Sequence, residues 1–180
     1  LRIVNGGLIM NGNTAPVIGG TTAFTLRFGT TSTTDAYVYV REGQSGISTI
    51  TASIQANDFI KFGAGNLLIN GTNNVLAPTT ALRTVYVQEG ILRFGSDAAV
   101  FTGGTGTNGR VNLMVNDTGT FDLNGQSITL GSLSGTGFVT NSSGSSTLTL
   151  DTGLNQTQSF TGMIQEGAGT IALVKSGVGT

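Results

Sequence analysis

The chain has 180 residues and a formal net charge of −1, and only 9% of its side chains are charged, against about 25% in an ordinary soluble domain. It contains no cysteine and no histidine, which excludes thiol nucleophiles, histidine bases and metal sites built on these ligands. Eight dispersed lysine and arginine residues are too few to neutralise a phosphate backbone, so binding to nucleic acid is not expected. No apolar run approaches the roughly 20 residues of a membrane-spanning helix, so the segment itself is not expected to span a membrane.

Short runs of alternating apolar and polar residues predict β-strands along the whole chain. They lie at residues 23–28, 37–40, 128–130 and 146–150. Threonine is abundant, and its β-branched side chain packs well on a pleated surface. Because helical periodicity is missing, the sequence predicts an all-β protein of many short strands.

Asn-Gly pairs mark the predicted turns. They occur at Asn5, Asn11, Asn70, Asn108 and Asn124, each followed by glycine. This pair is a strong hairpin signal because both residues tolerate positive φ. It serves equally well at a corner where the chain turns without reversing, so local chemistry leaves an antiparallel sandwich and a coil of parallel strands both open.

Internal repeats favour the coil. Residues 60–66 match residues 174–180 at an offset of 114, and residues 39–43 recur as 86–90 at an offset of 47. Both offsets are multiples of a coil of about 22–24 residues, as in a solenoid. We therefore predict one β-solenoid segment over residues 1–180 with rungs of about 20–24 residues. It has repeat-like halves 1–113 and 114–180, of which the second is incomplete.

In such a coil one side chain of each alternating pair points inward, and Asn, Thr and Gly occupy the corners, where side-chain amides and hydroxyls satisfy turn backbone groups. The predicted inward column is Val4, Leu26, Val40, Ile60, Leu68, Val87, Leu113, Leu123, Leu148 and Leu173.

The stretch 159–180 carries a family resemblance. A Phe-x-Gly-x-Ile sequence at Phe160, a glycine-rich step, and an aliphatic-Lys-x-Gly-x-Gly-Thr sequence around Lys175 closely resemble the autotransporter-associated β-strand repeat. Residues 60–71 give a second copy, and residues 84–96 look like the rung that normally follows it. Two departures stand in the first copy, where Phe62 and Asn66 replace the usual polar Ser or Thr.

The resemblance implies a right-handed parallel β-helix in the passenger region of a large secreted or surface-displayed bacterial protein. Such proteins are often exported by a C-terminal outer-membrane barrel, and their repeat carries no catalytic residues to transfer. The second copy stops at Thr180 before its strand, so we expect a fragment of a longer chain or a unit of a continuous assembly.

Several residues are candidates for catalytic or ligand-binding sites. Glu42 and Glu89 are equivalent in the repeat and each precedes a glycine, which favours exposed turn acids over a glycosidase pair. The glycine-rich run 103–109 lacks the Gly-Lys-[Ser/Thr] ending of a phosphate loop. Asn108 stands where the calcium-binding Gly-Gly-x-Gly-x-Asp repeat needs aspartate.

Two further pairs have structural interpretations. Lys61 and Lys175 are repeat-equivalent and are expected to be solubilising charges at the rung ends. Tyr39 and Tyr86 are expected to stack within the repeat, with an outward aromatic ladder for sugars or partner strands as the alternative. The sequence therefore predicts no catalytic, cofactor-binding or metal-binding residue.

We predict a non-enzymatic structural or adhesive segment of an extracellular or bacterial cell-surface protein, acting as stalk, adhesin or fibre. Its expected partners are neighbouring rungs of the same or an identical chain, and a host or matrix surface. The alternatives are a subunit of a self-assembling extracellular filament and a carbohydrate-active β-helix enzyme.

Overall fold

A computed structural model describes residues 1–19, 24–30, 34–76, 83–103, 110–153 and 158–179. Those residues form eighteen β-strands and one short 3-10 helix, Asp97–Ala99. Within the same ranges, no helix has the length and hydropathy needed to cross a bilayer. The prediction of an all-β chain is confirmed.

Most of the strands have two to five residues, two have eight and two have eleven. In chain order they are β1 (Arg2–Ile3), β2 (Leu8–Met10), β3 (Val17–Ile18), β4 (Thr25–Phe28), β5 (Ala36–Val40), β6 (Ser48–Ile50), β7 (Ser53–Ala56), β8 (Phe59–Phe62), β9 (Asn66–Ile69), β10 (Val75–Leu76), β11 (Thr84–Phe94), β12 (Asn112–Asp122), β13 (Ile128–Leu130), β14 (Ser132–Gly135), β15 (Phe138–Thr140), β16 (Ser145–Thr152), β17 (Met163–Ile164) and β18 (Thr170–Gly177).

All pairings between these eighteen strands are parallel. The turn after β12 shows how the Asn-Gly pairs serve this arrangement. Asn124 has φ 52° and Gly125 has φ 78°, and the chain passes on to β13 without forming a hairpin. The corner interpretation is confirmed at this turn, whereas the pair at Asn108 lies outside the described residues.

The strands divide into three sheets. One has the order β1-β4-β7-β10, and another the order β13-β16-β18. The largest contains eleven strands, and its main path, β17-β15-β12-β11-β8-β5-β2, curls into a half-barrel of seven strands. The candidate site described below lies on the outer surface of this path.

This architecture overturns the prediction of a right-handed parallel β-helix with rungs of about 20–24 residues. Paired residues are separated by unequal lengths of chain, from 18 residues between Thr120 and Phe138 to 32 between Val17 and Thr49. Moreover, β11 pairs with β8 along its first half and with β9 along its second, so one strand spans two positions that a solenoid would separate by a corner. The strands instead form separate sheets, and the largest of them is curled into the half-barrel.

The assignment of repeat-like halves 1–113 and 114–180 stays a prediction. The two matching segments lie in different sheets, since β8 belongs to the eleven-stranded sheet and β18 to the three-stranded one.

Phenylalanine side chains fill the interior beside the half-barrel. Phe59 and Phe101 have ring centroids 5.1 Å apart, and Phe94 packs edge-on against Phe121 at 5.7 Å. All four are fully buried, and each contributes about 1.5–3 kcal/mol by leaving water. This core holds the strands of the half-barrel at fixed positions.

The predicted inward column is partly correct. Six of its members are fully buried, namely Leu26, Val40, Val87, Leu113, Leu123 and Leu148. Val4 and Leu173 are exposed, while Ile60 and Leu68 are only half-buried. In β8 the phase is reversed, because Phe59 and Lys61 point inward and Ile60 points out; in β9, Leu67 and Ile69 take the inward places.

Candidate functional site

The outer surface of β5, β8 and β11 carries an aromatic and apolar patch, which we call the tyrosine face. It consists of Tyr37, Tyr39, Ile60, Phe62 and Tyr86. Alternation puts these side chains outside, because the residues between them in β5 and β11 are small or branched apolar residues that are buried. None of them belongs to the buried core.

Parallel register places Tyr37 and Tyr86 in one row. Ile60 is the pairing partner of Tyr37 on one side and of Tyr86 on the other. The two tyrosines are therefore separated by two strand spacings, about 9.6 Å. The sequence interpretation had joined Tyr39 to Tyr86 instead, and that pairing is wrong by two residues.

Tyr39 packs against another aromatic side chain of the same face, in line with the expectation of stacking. It pairs with Phe62, and the two rings meet edge-on with centroids 5.4 Å apart. Its ring is thus occupied by a neighbour of the same surface. Tyr37, by contrast, is 47% exposed, and its ring lies open to solvent.

Two grooves adjoin the exposed tyrosine. The first, of about 300 Å³, is lined by Asp35, Tyr37, Asp58, Ile60, Tyr86 and Gln88. The second, of about 420 Å³, is mainly apolar and is lined by Gly6, Gly7, Leu8, Ile9, Thr34, Tyr37 and Phe62. Tyr37 belongs to the lining of both grooves, so its ring lies between the acidic residues of the first and the apolar residues of the second.

Two carboxylates stand at the edge of the first groove. Asp35 Oδ1 accepts hydrogen bonds from Asn57 Nδ2 at 2.7 Å and from the Asp58 backbone N–H at 3.2 Å. Asp58 Oδ1 accepts one from the Thr84 backbone N–H at 3.0 Å and lies 3.9 Å from Arg83 Nη1. These contacts hold both carboxylates beside the tyrosine row, and the Arg83 guanidinium balances part of their negative charge.

Burial raises the pKa of the Asp58 carboxyl above its ordinary value, and the neighbouring Asp35 carboxylate raises it further. The Thr84 N–H and the Arg83 guanidinium favour the ionised form and lower the pKa in part. A cation brought into the groove would also favour ionisation of Asp58.

Directly beneath the tyrosine face lies a buried lysine. Lys61 follows Ile60 in β8, and its side chain has 0% exposure. Its Nζ donates hydrogen bonds to the backbone oxygens of Gly63 and Glu89, the latter at 2.7 Å. The expectation of a solubilising charge is wrong for Lys61, whereas Lys175 is exposed and donates to the Gly177 oxygen in the same local pattern.

Burial lowers the pKa of Lys61 to about 8, with the Glu89 carboxylate acting in the opposite direction. The lysine links β8 to β11 through the Glu89 oxygen. This bond adds a side-chain link to the backbone pairing of the two strands that carry Ile60 and Tyr86.

A second buried charge lies on the extension of the same sheet. Asp122 Oδ2 accepts a 2.6 Å hydrogen bond from Arg93 Nε, and Oδ1 accepts from the Asn124 and Ser142 N–H groups. Burial acts to raise the pKa of Asp122, but these hydrogen bonds outweigh it and hold the pKa below its ordinary value. Its partners identify a structural ion pair rather than a reactive acid.

The remaining acids weighed from the sequence are dispersed. Glu42, Glu89 and Glu166 are exposed, and Glu89 pairs with Thr118 of β12. In the described ranges, no group of three or more acids gathers at a metal-binding distance. Of the glycine-rich run, residues 104–109 lie outside the described part, as does Thr180.

Comparison with known proteins gives no relative. No family model, curated protein or solved structure matches this chain.

Proposed function

We propose that this chain is a structural and adhesive segment of a bacterial cell-surface or secreted protein, serving as part of a stalk, adhesin or extracellular fibre. The observation that carries the proposal is the tyrosine face. Tyr37 and its neighbours project outward from a parallel stack whose apolar core is complete without them. A rigid stack with a recognition surface on its side suits attachment better than turnover of a substrate.

Two further observations support the proposal. The motifs at residues 60–71 and 159–180 resemble the autotransporter-associated β-strand repeat, which is found in exported passenger regions. The lack of cysteine suits a chain that crosses an envelope unfolded, since it cannot form premature disulfides.

Immunogold electron microscopy tests the location. Antibodies raised against the purified chain should label intact cells of the bacterium that produces the protein, or extracellular fibres around them, and external protease should remove the label. Labelling that appears only after the cells are permeabilised would contradict the proposal. A matched antibody against a cytoplasmic protein controls for leaky cells.

Self-assembly is a second candidate, favoured by one edge of the structure. β18 pairs with β16 along eight residues, and within the described ranges its other edge has no strand. Leu173 in β18 is 53% exposed, whereas Leu148, its partner in β16, is buried. An unpaired edge with exposed apolar side chains is a template for another strand.

Sedimentation velocity over a wide concentration range tests self-assembly. Assembly predicts a sedimentation coefficient that rises with concentration in the wild type and stays constant in Leu173→Asp. A monomer at every concentration would contradict it.

A further inference from the structure

The tyrosine face combines aromatic rings with carboxylates in one groove, and this combination specifies a ligand. We propose that it binds a linear β-linked polysaccharide bearing free amino groups, a polyglucosamine. The faces of two sugars stack on Tyr37 and Tyr86, and their ammonium groups pair with Asp35 and Asp58. This inference rests on the adhesive role proposed above and names its ligand class.

The spacing of the rings suits an extended polymer. Tyr37 and Tyr86 are separated by two strand spacings, about 9.6 Å, with Ile60 between them. That distance is on the scale of two sugar units in an extended β-linked chain. The second groove, which also includes Tyr37 and extends over Leu8 and Ile9, offers a further apolar surface to a polymer that crosses the strands.

The carboxylates supply the charge that selects an amine. In the described part of the chain, the hydrogen bonds from protein groups reach Oδ1 of Asp35 and of Asp58. Both carboxylates line the same groove as the two tyrosines, and Asp58 also lies 3.9 Å from the Arg83 guanidinium. Ammonium groups complement these charges, and they are also attracted to the negative face of an aromatic ring.

The same charges exclude other polymers. A polyuronate or sulfated glycan would place its anions beside Asp35 and Asp58 and would be repelled. A neutral glycan could stack on the rings but would leave the acidic side of the groove without a cation. A lysine-rich peptide offers ammonium groups but lacks the flat sugar face that two separated tyrosines would stack against.

Isothermal titration calorimetry at mildly acidic pH, where the amines of the glucosamine hexamer are protonated, tests the proposal with three hexasaccharides: glucosamine, N-acetylglucosamine and glucose, all β-1,4-linked. We expect the glucosamine hexamer to bind at least about tenfold more tightly than the other two, a difference of about 1.4 kcal/mol. A hexalysine peptide is the fourth probe, and we expect it to bind more weakly than the glucosamine hexamer. If the N-acetylglucosamine hexamer, the glucose hexamer or hexalysine binds as tightly as the glucosamine hexamer or more tightly, the proposal is overturned.

Variants locate the site. Tyr37→Ala changes an exposed side chain and should weaken binding of the glucosamine hexamer by about tenfold or more, the loss of one cation–π and stacking contact. Asp35→Asn should weaken it while leaving the affinity for the acetylated hexamer unchanged. Phe138→Ala, an exposed aromatic on β15 of the same sheet, is the matched control and should bind as the wild type does.

Circular dichroism melting of each variant distinguishes a loss of binding from a loss of folding. Tyr37→Leu is a second variant, which keeps an apolar side chain in contact with the strand. Unchanged affinity in folded Tyr37→Ala would overturn the proposal. So would the absence of binding by the wild type; if intact cells are still labelled in the immunogold experiment, that result rejects the ligand and leaves the surface role standing.

Discussion

Replacing Lys61 by methionine removes the buried cation while keeping most of the volume of its side chain. Lowering the pKa of Lys61 from 10.5 to about 8 corresponds to about 3 kcal/mol against the protonated folded state. Below pH 8 the lysine is protonated in both states, and the folded protein carries this whole cost. Between pH 8 and 10.5 the unfolded state binds more protons, so the stability of the wild type rises with pH through this window.

Lys61→Met does not carry this cost, but it leaves the oxygens of Gly63 and Glu89 without their donor, at about 1–3 kcal/mol each. We therefore expect the two proteins to differ little or the variant to be less stable near pH 7. As pH rises from 8 to 10.5, the wild type should gain up to about 3 kcal/mol relative to the variant.

Urea unfolding at intervals from pH 7 to 10.5 measures this difference, and tyrosine ionisation cancels because both proteins contain the same tyrosines. Lys175→Met is the matched control, since Lys175 donates in the same way to the backbone oxygen two residues further on, Gly177, but is exposed. It should follow the wild-type profile. A constant difference in the free energy of unfolding between Lys61→Met and the wild type at every pH would refute the reasoning.

Three other substitutions test how the stack is held together. Asn74→Ala should lower the free energy of unfolding, measured with urea, by about 2–4 kcal/mol. The buried amide of Asn74 donates to the Gly71 and Ala99 oxygens and accepts from the Ile54 N–H. Gly65→Ala should lower the free energy of unfolding by about 1–3 kcal/mol in the same assay, since the added Cβ would lie 2.1 Å from the Arg41 oxygen. Gly43→Ala is its control, because a Cβ at Gly43 has no atom within 4 Å. This variant should lose only the stability that corresponds to the strain of its positive φ. In acid titrations followed by circular dichroism, Asp122→Asn should lose less stability than the wild type as pH falls below about 4. The pKa of Asp122 is lower in the folded state than in the unfolded state. Its carboxylate therefore stabilises the fold above the unfolded-state pKa, and this stabilisation is lost as pH falls through the folded-state pKa.

Local alternation predicts much of the strand content and part of the site. The pattern at residues 36–40 leaves Val38 and Val40 inside and Tyr37 and Tyr39 outside, as the structure has them. In β8 alternation misleads, because a lysine is expected outside and Ile60 therefore inside. The backbone oxygens of Gly63 and Glu89 make burial of Lys61 acceptable, and the second lies on another strand.

Register and overall architecture depend on contacts that the sequence does not display. The offset of 47 residues aligned Tyr39 with Tyr86. The chain instead takes 23 residues from Tyr37 to Ile60 and 26 from Ile60 to Tyr86. Such differences arise in the corners, whose lengths the repeats do not fix, and a shift of two residues keeps the same face outward. The sequence therefore allows an outward aromatic row as an alternative to stacking within the repeat, but it does not give the residues of that row.

The central proposal is that the tyrosine face is a recognition surface, and NMR of labelled tyrosine rings tests it most directly. The chain has three tyrosines, so an NMR spectrum of selectively ¹³C-labelled tyrosine contains one set of ring signals for each. On titration with the glucosamine hexamer, the signals of Tyr37 and Tyr86 should move together with one dissociation constant. Those of Tyr39, packed edge-on against Phe62, should move less. Ring signals that stay in place through the titration, or that move most at Tyr39, would contradict the account.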